Sequence, residues 1–125
     1  MRPAFVVLLV VFCSFIGMSL QNASGQGTND LVARGQYLVM SAGKCADCHG
    51  PNLRGALLDF LKPGLPVQYR SPKISGLTML SAANAMKFFE TGELPNGKHA
   101  RPPMPQYRFN HDDASAIVAY LKSLK

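Results

Sequence analysis

Residues 44–50 read KCADCHG and place two thiols and an imidazole close together, at Cys45, Cys48 and His49. That set of side chains suits three kinds of chemistry: binding a zinc ion, cycling a dithiol, or attaching a haem covalently. Zinc needs two more ligands, and the remaining histidines, His99 and His111, stand twelve positions apart, far from the short gap of a usual histidine pair. A redox dithiol asks for a strand-helix-strand setting, and no strand alternation flanks the motif. A structural disulfide across two residues closes a very small ring and adds little stability. On one helical turn, by contrast, Cys45, Cys48 and His49 at i, i+3 and i+4 project from a single face. Both thiols then reach the two vinyl groups of one porphyrin as thioethers, and the imidazole points at the iron. C-x-x-C-H is the signature of that attachment, the c-type haem.

A six-coordinate iron needs a second axial ligand from the opposite side, and Met104 is the expected one. It lies in RPPMPQYRFN, where Pro102, Pro103 and Pro105 predict a stiff, extended, non-helical path. A methionine between prolines has little packing reason to be there. The other sulfurs suit packing better: Met86 falls on the apolar stripe of a helix, Met40 belongs to the first helix, and Met79 precedes a helix in a less constrained stretch. His99, beside Lys98 and Arg101, reads as surface, and His111 as a solvated residue in the first turn of a helix.

Three main helices are predicted to position these groups. Asn29 or Asp30 can cap the first, with Leu31, Gly35, Leu38 and Ala42 at helical spacing and Gly43 as its stop. Gly35 inside a helix costs roughly 1 kcal/mol against alanine, which makes sense if another helix crosses closely there. The expected partner is the last helix, capped by Asn110, with Asp112 and Asp113 in its first turn and an apolar stripe of Ala114, Ile117, Val118, Leu121 and Leu124. Between them Ser81 caps a helix with Ala82, Ala85, Met86 and Phe89 on one face, ending at Thr91 before Gly92. The stretches between, 50–80 and 92–109, hold all but one of the prolines. Loops so long in so small a domain need something rigid to organise them, and a large flat cofactor would complete a core that three short helices cannot.

The chain has 125 residues, enough for one domain and a leader. Arg2 followed by an apolar run from Ala4 to Leu20 reads as an export signal, and Ala23-Ser24-Gly25 as its cleavage site. The expected division is a signal peptide over 1–25 and one domain over 26–125; the alternative is a leader retained as a membrane anchor. Cys13, mid-run behind the bulky Phe12, leaves with the leader. The remaining chain keeps 12 Lys and Arg against 7 Asp and Glu, a formal +5. These charges are scattered, with no dense basic run, which argues against nucleic acid and for weak docking on acidic partners.

CADCH early in the exported chain, PPMP downstream and the terminal AIVAYLKSL together resemble a class I c-type cytochrome of the small monohaem bacterial kind. The resemblance covers nearly the whole exported chain. It implies an all-α cytochrome c fold with long loops around one covalent haem c, His49 as proximal ligand, Met104 as distal ligand, and crossed terminal helices. SPKISGLTMLSAANAMKFFETGELPNG is further similar to cytochrome subunits or domains serving exported dehydrogenases. The expected function is periplasmic one-electron transfer between such a dehydrogenase and a respiratory acceptor, with no catalytic residues of its own. The alternative is a haem enzyme or small-ligand sensor with a displaceable distal ligand. The loop over 50–75 is longer than in the shortest members of the family, so the resemblance does not assign the haem propionate partners.

Overall fold

The structure is a computed structural model that describes residues 27–125. The expected leader, its cleavage after Gly25 and Cys13 lie outside the described residues. Helix α1 is α-helical over 27–37 and widens into a π-turn at Leu38–Ala42, closed by the Gly43 N–H on the Leu38 carbonyl at 2.7 Å. One expectation for this helix needs correction. Residue 27 is already helical, so Asn29 and Asp30 lie within the helix rather than at its cap. Gly43 caps the end of the helix as expected, right-handed at φ −84°, and the chain reverses one residue later at Lys44, which takes the left-handed conformation (φ 48°). The widened last turn brings the Gly43 N–H onto Leu38, which keeps the glycine helical and moves the reversal on by one residue.

Helix α2, Cys45–His49, is a single turn that begins directly after that reversal. A 3-10 turn follows at Ser75–Leu77, then α3 at Ala82–Thr91 and α4 at His111–Ser123. Both long helices are capped as expected: the Ser81 side chain accepts from the Asn84 N–H, and the Asn110 side chain from the Asp113 N–H at 2.8 Å. Gly92, left-handed at φ 73°, ends α3. Among the described residues there are no strands, only the single bridges Leu57–Arg70 and Glu93–His99. No helix among them is long and apolar enough to cross a membrane.

Helix α4 is the centre of the core, packed on α3, on the 3-10 turn and on the end of α1. Its Ala114, Ile117, Val118 and Leu121 are buried against Val39, Leu53, Ala85, Phe88 and Phe89. The helix crossing that Gly35 predicts is present: a Cβ there would overlap the Ala116 carbonyl and the Tyr120 side chain. Arg34 and Asp113 pair across the same crossing at 2.7 Å. The irregular segments are pinned by their backbones. Leu53, fully buried, accepts from both Ile74 and Ser75 at 2.9 and 3.0 Å, and Phe109 donates to the Phe89 carbonyl at 3.0 Å.

Candidate haem-attachment site

The left-handed turn at Lys44 starts α2, and α2 brings Cys45, Cys48 and His49 onto one turn. The two cysteines are free thiols, both half-buried. Burial pushes the Cys45 thiol up to about 11, with Cys48 and Asp47 adding to the effect against one backbone hydrogen bond. At neutral pH Cys45 is therefore a thiol.

His49 is buried, and its Nδ1 lies 2.8 Å from the Pro72 carbonyl. A carbonyl only accepts, so Nδ1 carries the proton and Nε2 keeps its lone pair for a metal. Such a backbone acceptor also fixes the ring plane and makes the imidazole a better donor. Pro72 is held in turn by its neighbour. Ser71 Oγ donates to the Cys48 carbonyl at 2.6 Å and accepts from the Ala56 N–H at 2.8 Å. Gly55 makes this approach possible, since at φ +88° a Cβ would stand 2.6 Å from the Ser71 carbonyl. Gly55 and Pro72 escape the sequence reading because they act through backbone atoms, and Ser71 because its hydroxyl bonds only the backbones of Cys48 and Ala56. Ser-Pro following the bulky segment over 56–70 is the one signal that points to them.

Met104 is half-buried and packs against the core cluster, as do Met40 and Met86; Met79 is 69% exposed. The segment that carries Met104 is non-helical as expected. It turns rather than running extended, with the Met104 N–H on the Arg101 carbonyl at 3.2 Å across a cis Pro102–Pro103 bond. Three residues on, Tyr107 donates its hydroxyl to the Gly43 carbonyl at 2.7 Å and stacks on Phe109. Gly43 lies two residues before Cys45, so this bond ties the Met104 segment to the start of the attachment motif. Burial raises the Tyr107 phenol above its usual range, and the two cysteines beside it add to the rise. Sequence reading missed Tyr107, whose role shows only once the fold brings positions 43 and 107 together.

The other histidines are engaged elsewhere. His99 Nδ1 donates to the Gly92 carbonyl at 2.9 Å, and His111 pairs with Glu90 at 2.7 Å. Among the described residues no group of three or more His, Cys, Asp or Glu side chains stands close enough to hold a metal ion. Two free thiols and a buried imidazole with a fixed tautomer, all on one turn, fit a covalently attached haem.

Comparison with known proteins agrees. The profile of the family described as Cytochrome c matches residues 32–125. The cytochrome c subunits of the quinone alcohol dehydrogenases of Gluconacetobacter polyoxogenes and Komagataeibacter europaeus are each 31% identical over 120 residues, covering 78% of this chain and 25% of theirs. The chain thus spans a quarter of the length of these relatives. No solved structure matches it. The profile runs through the attachment turn, both long capped helices and the crossing of α4 with α1, and the chain belongs to the cytochrome c family.

Proposed function

We propose that this cytochrome c, with His49 and Met104 as the axial ligands of one haem c, carries single electrons between an exported dehydrogenase and a respiratory acceptor in the periplasm. A bound haem supplies a reversible one-electron couple, raised in potential by a thioether ligand and closed to substrate when both axial positions are filled. The chain's own residues hold that couple still. Cys45 and Cys48 anchor it, the Pro72 carbonyl keeps His49 in one tautomer and one orientation, and Tyr107 holds the Met104 segment against the motif.

The observation that carries this reading is the buried His49 with Nδ1 on Pro72, beside two free thiols on the same turn. The dehydrogenase side of the proposal rests on the two relatives, which are cytochrome subunits of quinone alcohol dehydrogenases. A division into a cleaved leader over 1–25 and a cytochrome domain over 26–125 accompanies the periplasmic placement. The competing role, a haem enzyme or ligand sensor, needs a distal acid-base group. Both candidates, His99 and His111, already bond Gly92 and Glu90.

Optical spectra of the ferric and ferrous protein with and without carbon monoxide test the reading. Six-coordinate low-spin iron that ignores the gas is the expected result. Free binding of carbon monoxide by the wild-type protein would overturn the carrier role.

A further inference from the structure

Two dipeptides, Cys48-His49 and Ser71-Pro72, lie side by side and are joined by two hydrogen bonds. His49 Nδ1 donates to the Pro72 carbonyl at 2.8 Å, and one residue earlier on both segments the Ser71 hydroxyl meets the Cys48 carbonyl at 2.6 Å. A third group fixes the direction of that second bond. The Ala56 N–H, 2.8 Å from Ser71 Oγ, can only donate, so the hydroxyl accepts from it. The single hydroxyl proton then goes to a carbonyl, and Cys48 at 2.6 Å stands closer than Ala56 at 3.3 Å.

The Cys48 carbonyl needs such a donor. It belongs to the last turn of α2, a five-residue helix whose final carbonyls find no partner within the helix. The Gly55 N–H takes the His49 carbonyl at 2.8 Å and the Leu53 N–H takes that of Gly50 at 2.9 Å, which leaves Cys48 to Ser71. Ser71 is itself buried and held from two sides, with its N–H on the Ala56 carbonyl at 2.9 Å and its own carbonyl against Gly55. A single bond between the two dipeptides would let them slide and twist against each other. The second bond removes that freedom, and the ring-locked φ of Pro72 stiffens the path between the two.

We infer that Ser71 is a positioning residue for the axial imidazole: through Pro72 it sets the length and direction of the hydrogen bond on His49 Nδ1, and thereby the reduction potential of the haem. This rests on His49 as axial ligand, as proposed above. The more closely the Nδ1 proton is held on a carbonyl, the more electron density the ring keeps and the better Nε2 donates to a metal. A better donor favours ferric over ferrous iron and lowers the potential. Ser71 never touches the imidazole, yet its hydroxyl decides how firmly the acceptor is presented. Without it the Cys48 carbonyl and the Ala56 N–H lose their partner, the two dipeptides loosen, and the bond on Nδ1 lengthens.

The test compares full-length, haem-loaded Ser71→Ala with wild type by spectroelectrochemical titration and by NMR of the diamagnetic ferrous form. In the variant the potential should rise and the His49 Nδ1 proton should move upfield, as a proton in a longer hydrogen bond does. Ser71→Thr, which keeps the hydroxyl, should restore both readings toward wild type. Asn110→Ala, destabilised through its helix cap, should move neither, which separates positioning from a general loss of stability. Wild-type values of both readings in Ser71→Ala would overturn the inference, as would equal shifts in Asn110→Ala. If Ser71→Ala does not assemble with haem, the wild-type protein decides: a Ser71 hydroxyl proton slow to exchange with water is expected, and one exchanging as fast as that of a free serine would overturn the inference. The His49 ring protons keep the two readings apart, because an axial imidazole lies in the ring current of the haem and resonates far upfield. Upfield ring protons with an unmoved potential in Ser71→Ala leave His49 as ligand and remove the role of Ser71, whereas ring protons at ordinary positions in the wild type remove both.

Discussion

At the residue scale, the proposed ligand pair makes Met104 and His49 separable. Met104→Ala leaves Cys45, Cys48 and His49 untouched, so covalent haem should be retained while the thioether charge-transfer band disappears. The reduced protein should then bind carbon monoxide and show a lower potential in a spectroelectrochemical titration. The band surviving in Met104→Ala and vanishing in Met79→Ala would assign the ligand to Met79. Tyr107→Phe keeps the stacking on Phe109 but removes the bond to Gly43, and should cost about 1 kcal/mol in denaturant unfolding. It also has a pH signature. Because burial raises the phenol's pKa in the folded state, its contribution to stability is complete below the ordinary tyrosine range and is lost as pH rises through the raised value. Once both sulfurs are thioethers they carry no charge, and burial alone sustains the rise. Stability measured from pH 8 to 12 should therefore fall less steeply in Tyr107→Phe than in the wild type.

At the element scale, the helices were legible because each is written in local chemistry. Ser81 and Asn110 are short polar side chains placed before apolar periodicity, and both accept the N–H bonds their positions foretold. Gly35 was legible for a different reason, since a helix-weakening residue needs a compensating close approach, and the Ala116 carbonyl provides it. Gly35→Ala should destabilise the protein by about 3 kcal/mol because rigid backbone, rather than a movable side chain, occupies the space. Asn110→Ala should cost about 1 kcal/mol through the lost cap. Thermal melts of the two variants check both values, and a Gly35→Ala protein as stable as wild type would mean that α1 and α4 separate more easily than their packing implies. Gly43 marked the end of α1 correctly, but the π-turn that closes on it and the reversal at Lys44 were not legible, since residue propensities do not carry a change of hydrogen-bond register. The supports of His49 were not legible at all, since Pro72 and Ser71 reach the motif across a loop whose course depends on backbone bonds between distant positions.

For the whole molecule, the attachment turn sits inside a fold whose irregular stretches outnumber its helices, and Cys45, Ala46, Ile74, Leu94 and Met104 all pack against the same core. Cys45→Ala with Cys48→Ala should therefore abolish stable haem and leave a poorly folded chain that host proteases remove. A folded, exported, haem-free double variant would contradict this view of the core. The basic bias of residues 26–125, together with the proposed acidic partner, predicts that electron exchange slows as salt rises, since exposed charges are screened beyond ~10 Å at 0.1 M. Stopped-flow rates across ionic strength measure this directly. The crossing of α1 and α4 adds an ordering in time. Arg34 and Gly35 find Asp113 and Ala116 only after the residues up to 116 have emerged, whereas Cys45, Cys48 and His49 emerge soon after α1. During synthesis or threading through a membrane, the attachment turn spends its first moments on an open chain that cannot yet close over it. That interval is when the enzymes of haem attachment have unobstructed access to both thiols, and chains stalled before residue 110 should still accept haem.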